Sequence, residues 1–184
     1  MNIGLFYGSS TGTTARAAAQ IQQTFHAITA HAAAAWSVEL LDIAEFYLEE
    51  MADFKHLILG IPTWNHGQLQ ADWELVFEEF DNLDMHGQQV AVFGLGDQLG
   101  YPDTFGDALF FLADKVRTRG ARLVGAWPTA GYQFNQSWAV EDGRFLGLML
   151  DVDNQPELSE VRIAQWVQQL DREFGIAPDS QPAS

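Results

Sequence analysis

The chain has no cysteine among its 184 residues, which excludes disulfides, thiolate chemistry, cysteine-bound zinc and ordinary iron–sulfur clusters. Basic residues are scarce: 9 Lys and Arg stand against 25 Asp and Glu, a formal net charge of −16. A surface of that sign repels phosphodiester backbones and anionic lipid, so nucleic acid is not the expected partner. No apolar run approaches the ~20 residues that cross a bilayer, so no membrane insertion is expected. The N-terminus opens on a strand pattern without the basic and apolar regions of a signal peptide, which points to a cytoplasmic protein. The 5 histidines, at 26, 31, 56, 66 and 86, include no pair four apart on one helical face, so no metal site is expected.

What is present is an ordinary globular composition, 47% apolar and 18% charged, large enough for one domain with a proper core. That domain is expected over residues 1–174, with 175–184 as a flexible C-terminal tail. Short apolar runs at 3–7, 38–41, 56–61, 90–95 and 122–126 read as strands. Segments with helical spacing lie between and after them, at 13 to about 30, 46–51, 69–80, 104–119 and 159–174. The Ala-rich stretch 26–35 is expected to finish the first helix and run into a loop. Near-continuous apolar strands alternating with helices predict a parallel sheet covered on both faces, a doubly wound α/β fold with right-handed crossovers. About twenty residues, 127–145, are too rich in turns and aromatics for a helix, and the strand-like LGLML follows them. They read as an insertion into the fifth strand.

In an open parallel sheet, ligands bind beyond the carboxyl ends of the strands. The first loop there is Ser9-Ser10-Thr11-Gly12-Thr13-Thr14, whose hydroxyls and small residues let backbone N–H groups converge on an anion. It lacks the Gly-Lys-Ser/Thr of a Walker loop and the Gly-x-Gly-x-x-Gly of a dinucleotide fold. A receiver domain would need an acidic residue after the first strand and a lysine after the fifth, where this chain has Ser and Thr, then Trp and Pro. A simple helix-capping turn is the competing reading of the loop taken alone. After the third strand comes Pro62-Thr63-Trp64-Asn65-His66-Gly67, and after the fourth a Gly-rich run through Leu95, Gly96, Asp97 and Gln98 to Tyr101. A phosphate cradle without positive charge and two aromatics at one sheet edge suit a flat ring system bearing a phosphate monoester, which describes FMN.

The segments IGLFYGSSTGTT, LILGIPTWNHG, GLGDQLGYPDTF and DGRFLGLMLDVDNQ resemble, in order and spacing, the signature segments of flavodoxins, and the 127–145 insertion resembles the extra loop of the long-chain type. The resemblance implies a flavodoxin-like sheet of five parallel strands in order 2-1-3-4-5. It also implies a low-potential one-electron carrier, not an enzyme, that binds FMN non-covalently and shuttles electrons between reductases and acceptor enzymes. By the same resemblance Ser9 to Thr14 hold the phosphate and Trp64 and Tyr101 sandwich the isoalloxazine. Thr63, Gly96, Asp97, Gln98 and the Thr104 region line the pyrimidine and ribityl parts, with Asp153 near the ribityl chain. A peptide beside the Trp loop presents the Asn65 carbonyl to the reduced ring, with Gly67 giving local freedom. His66, next to that peptide, is expected to make the second reduction step depend on pH. The acidic run Asp72, Glu74, Glu78, Glu79, Asp81 and Asp84 is read either as steering toward basic-surfaced redox partners or as a solvated helix face. The expected carrier is a monomer. The rival on the same scaffold is an FMN-dependent NAD(P)H:quinone oxidoreductase, which would need a nicotinamide site; no basic cluster for dinucleotide phosphates is visible.

Overall fold

The computed structural model describes residues 1–29 and 36–175. In chain order the main elements are β1 (Asn2–Tyr7), α1 (Thr13–Thr29), β2 (Ser37–Asp42), β3 (His56–Pro62), α2 (Ala71–Val76), β4 (Gln89–Leu95), α3 (Asp107–Thr118) and β5 (Arg122–Val124). Short strands β6 (Trp127–Pro128), β7 (Val140–Glu141), β8 (Arg144–Phe145) and β9 (Leu148–Leu150) follow, and α4 (Ser159–Phe174) comes last. The strands β2-β1-β3-β4-β5 form a sheet that is parallel, as the alternation of strand and helix predicts, and in the order that the resemblance implies. Strands β1, β3 and β4 are buried except at some of their ends, because helices cover both sheet faces.

The fifth strand is interrupted in the expected way. β5 pairs with Gln89–Ala91 of β4, and β9 pairs, also parallel, with Phe93–Leu95 of the same strand. Two short strands thus share one edge of β4, and the residues between them fold outside the main sheet as a three-stranded antiparallel patch, β6-β8-β7.

Helix boundaries differ from the periodic reading for identifiable reasons. The 69–80 segment breaks into α2 and a 3-10 turn, Glu79–Asn82. Gln70 starts the helix, its side chain accepting from Trp73 N, and the helix ends at Val76 with Phe77 N donating to Glu74 O at the tighter i, i−3 spacing. The 46–51 segment is a 3-10 turn at Leu48–Asp53, started by the Glu50 carboxylate accepting from Tyr47 N at 3.1 Å. α3 starts at Asp107 rather than 104 because Gly106 sits in the left-handed region at φ 74°. The end of the Ala-rich stretch, 30–35, and the tail from 176 onward lie outside the described residues.

One continuous apolar cluster joins both layers, and in it the fully buried Phe93 of β4 meets Trp166 of α4 edge-on with ring centroids 6.4 Å apart. Two buried tryptophans carry their polar atom to a backbone carbonyl: Trp73 donates to Gly60 O of β3 at 2.9 Å and Trp166 to Gly125 O, just past β5, at 2.7 Å. Each indole therefore fills core volume without an orphaned donor. No described helix is long and apolar enough to cross a membrane.

Candidate functional site

The ends of β1, β3, β4 and β9 open onto a cavity of about 290 Å³. It is lined by Ser10, Thr11, Thr13 and Thr14 from the first loop and by Pro62, Thr63, Trp64 and Asn65 from the third. Leu95, Gly96, Asp97 and Tyr101 come from the fourth, and Val152 and Asp153 from beyond β9. This is the sheet edge at which a parallel α/β fold binds ligands. Among the described residues no lysine, arginine or histidine lines it.

The first loop is organised around the start of α1. Gly12, at φ 82°, turns the chain so that its carbonyl accepts from Arg16 N at 3.0 Å, the first turn of the helix. Ser9 Oγ accepts from Ala15 N at 3.2 Å, satisfying one of the donors a helix start leaves over. The amides of Ser10 through Thr14 find no protein acceptor among the described residues. Five successive N–H groups beside a helix N-terminus are thus left for an anion, which is the donor set a phosphate ester requires. Gln70 ties this loop to α2, its Nε2 donating to Ser10 Oγ at 3.2 Å.

The Trp loop is a tight hairpin. Trp64 and Gln68 exchange both backbone bonds, at 3.0 and 2.8 Å, around the three residues 65–67. Such a loop needs left-handed backbone: Gly67 supplies it at φ 87° and Asn65 adopts it at φ 44°, steadied by its side-chain bond to Gln68 at 2.9 Å. Trp64 stands half-buried at the cavity wall while Asn65 and His66 are exposed. The His66 ring meets Tyr101 edge-on, with centroids 5.4 Å apart. The resemblance assigns Asn65 and His66 a peptide that must turn, and the backbone there already holds a conformation uncommon for a non-glycine residue.

The Tyr101 loop is held by contacts from far along the chain. Asp97 Oδ1 accepts from Gly100 N at 2.7 Å, Leu99 N at 3.1 Å and Asn154 Nδ2 at 2.8 Å. The Gly100 amide, then the Asn154 side chain, hold its carboxyl below the usual range. Asp151, fully buried, accepts from Gln98 N at 3.1 Å and from Asn154 N at 3.0 Å. The insertion grips the same segment from outside: Gln133 N donates to Gln98 Oε1, and Asn135 N and Gln136 N donate to Pro102 O at 2.8 and 3.1 Å. Trp138 N donates to Asp107 Oδ1 at 2.8 Å. Tyr132 anchors the insertion to β9 through its bond to Met149 O, and burial pushes its hydroxyl up to about 12.

Asp107 connects the aromatic loops. It is 5% exposed, and burial raises its carboxyl against the opposing pull of the Trp138 amide. A Cβ built on Gly67 would press on Asp107, 3.1 Å from its Cβ and 3.2 Å from Oδ2, at a φ of 87° that side-chain-bearing residues rarely adopt. The next residue, Ala108, donates its N–H to Thr63 Oγ1 at 3.3 Å. Asp153 faces the cavity with its carboxyl raised by burial and then by the charges of Asp97 and Asp151.

Thirteen of the residues expected from sequence line the cavity together. Ser9, Gly12, His66, Gly67, Gln98 and Thr104 are not in its lining: Ser9 caps α1, Gly12 and Gly67 shape turns, His66 lies against Tyr101. Gln98 is buried with its side chain on the insertion, and Thr104 closes the turn after Tyr101, its N–H donating to Tyr101 O at 3.3 Å. Sequence reasoning passed over Val152, Asp151, Asn154 and Asp107. The first three sit in the DGRFLGLMLDVDNQ segment that the resemblance marked. Asp107 carried no signal beyond an acidic residue near a helix start.

A sequence profile described as Flavodoxin matches residues 5–166. Among curated relatives, a flavodoxin of Picosynechococcus sp. is 47% identical over 174 residues, covering 95% of this chain and 98% of its own length. Flavodoxin 2 of Escherichia coli is 45% identical, with 92% and 95% covered. Among solved structures, Fusobacterium nucleatum flavodoxin bound to flavin mononucleotide superposes with a TM-score of 0.83 at 28% identity, covering 94% of this chain and 98% of that one.

Proposed function

The chain belongs to the flavodoxin family, and from that premise we infer that it is an electron carrier, not an enzyme, that holds FMN non-covalently in the cavity beyond β1, β3, β4 and β9. The observation that carries the reading is one lining that joins the hydroxyl loop beside the free amides of 10–14 to Trp64 and Tyr101, with no basic side chain. The bound flavin supplies one-electron chemistry. The protein's part is to bind, orient and shield it: the Ser9–Thr14 loop takes the phosphate, Trp64 and Tyr101 the ring faces, and Asp153 the ribityl side.

The residues also support a low potential. A carrier shifts its cofactor's potential by binding the redox states unequally, about 60 mV for each tenfold difference in a one-electron step. Asp97 and Asp153 put carboxylates at the cavity, and among the described residues no cationic side chain is in its lining, so added negative charge on the ring is disfavoured. Redox partners with basic surfaces suit the exposed acids Glu74, Glu78 and Glu79. Asp81 and Asp84 are instead occupied by Lys115 at 2.7 Å and His86 at 2.6 Å, so they add less to steering. The reading is of a cytoplasmic monomer, one domain over 1–174.

The test is anaerobic stepwise reduction of the FMN-loaded protein, with NADPH and a quinone tried directly in parallel. Two separated one-electron steps without NADPH turnover are expected. A single two-electron step with steady NADPH oxidation would make the protein a quinone reductase. Repeating the titration across pH with His66→Asn checks the histidine: the second step should lose part of its pH dependence, and an unchanged profile removes His66 from the account.

A further inference from the structure

Arg16 is a basic residue at the phosphate end of the cavity. It sits in the first turns of α1, a helix with no acidic residue in its first turn, where a cation is unfavourable to the helix macrodipole. Its side chain folds back toward the loop: Nη2 donates to Thr13 Oγ1 at 3.0 Å, and a Cβ built on Gly12 would lie 3.5 Å from Nη1. Among the described residues no carboxylate lies within ion-pair distance of it, in a chain where acids outnumber bases 25 to 9. Thr13 lines both the cavity and the adjoining groove that Arg16 lines, so the guanidinium stands one hydroxyl away from the loop.

The hydrogen-bond direction matters. An arginine only donates, so Thr13 Oγ1 accepts, and its own proton is left for another acceptor. Thr11 Oγ1, 3.3 Å away, is one such acceptor, and an anion seated on the free amides is a stronger one. A phosphate monoester carries nearly two negative charges at neutral pH. We propose that Arg16 is a phosphate-binding residue, which adds the one full positive charge that the amide cradle lacks and orients the Thr13 hydroxyl as a donor to the ester. This rests on the FMN reading above. It revises the sequence-based expectation of a phosphate site without a cation, because an arginine three residues beyond Thr13 lies back over the loop only once α1 has formed.

The experiment titrates the apoprotein with FMN and with riboflavin, which has the same ring and ribityl chain but no phosphate. In Arg16→Ala, FMN affinity should fall about tenfold at low ionic strength, and the deficit should shrink in about 0.5 M salt because the side chain is exposed. Riboflavin affinity should not change, and Arg16→Lys should recover part of the FMN loss. Equal losses for both ligands, or no loss for FMN, would overturn the assignment. An unmodified apoprotein that binds neither ligand would instead overturn the FMN reading itself.

Discussion

The two flanks of the cavity are built in opposite ways. The hydroxyl flank, residues 9–16, is held by bonds to itself: Ser9 to Ala15, Gly12 to Arg16, Thr13 to Thr11 and Arg16, with Gln70 as a distant tie. The aromatic flank has local bonds in its hairpin and turns, but long-range ones join it together. Asp151 and Asn154 reach Gln98 and Asp97, the insertion reaches Gln98, Pro102 and Asp107, and Thr63 is bonded to both Leu95 and Ala108. The difference matches the chemistry each side performs. A phosphate is recognised by a run of N–H groups that one turn and one helix start can supply, whereas two aromatic walls facing one ring must come from different strands and be fixed from outside.

The comparison breaks most visibly at Asp151. Asp151→Ala deletes the buried acceptor of Gln98 N and Asn154 N, and two orphaned amides should cost about 2–3 kcal/mol in urea unfolding of the apoprotein. Hydrogen exchange should quicken through 97–104, distant from residue 151 in sequence, if the aromatic flank is held by such long-range bonds. Ser9→Ala removes only a helix-start acceptor and should cost about 1 kcal/mol. Exchange should then quicken at the start of α1 alone; a change that spread to the Trp loop would show the hydroxyl flank to be less self-contained than its bonds indicate.

The smallest effects separate two carboxylates of the aromatic flank. Asp97 has a lowered pKa in the fold, so it contributes stability above its unfolded value that is lost as pH falls through the folded one. Asp107 has a raised pKa, so its ionised form is a cost above the folded value, relieved as pH falls toward the unfolded one. Asp97→Asn should therefore destabilise near neutrality by about 1 kcal/mol or less and converge on the parent in acid. Asp107→Asn keeps an oxygen for the Trp138 amide and should match or exceed the parent near neutrality, then lose that advantage in acid. Urea titrations from about pH 7 to pH 3 would show both, and parallel curves would contradict the opposed environments of the two groups.

The strands, the interruption of the fifth and the three ligand-edge loops were legible in sequence because each rests on local chemistry, whereas the sheet order came only from the resemblance to flavodoxins. Short apolar runs bounded by turn residues, such as HLILGI, read as buried strands, and small hydroxyl residues around a glycine, as in SSTGTT, read as a turn before a helix. Less legible was which residues near those loops support them. Gln98 was expected at the ligand, yet its side chain serves the insertion; Asp107 resembled any acid near a helix start, yet it joins the Trp hairpin to Trp138. Sequence by itself determined where the chain turns, what it buries and which edge carries the ligand loops, since periodicity and turn chemistry act within a few residues. Only the tertiary structure decided how the aromatic walls are held and that Arg16 folds back onto Thr13. The walls depend on side chains meeting across tens of residues, which no local pattern encodes, and the Arg16–Thr13 pair, although three residues apart, meets only once α1 has formed.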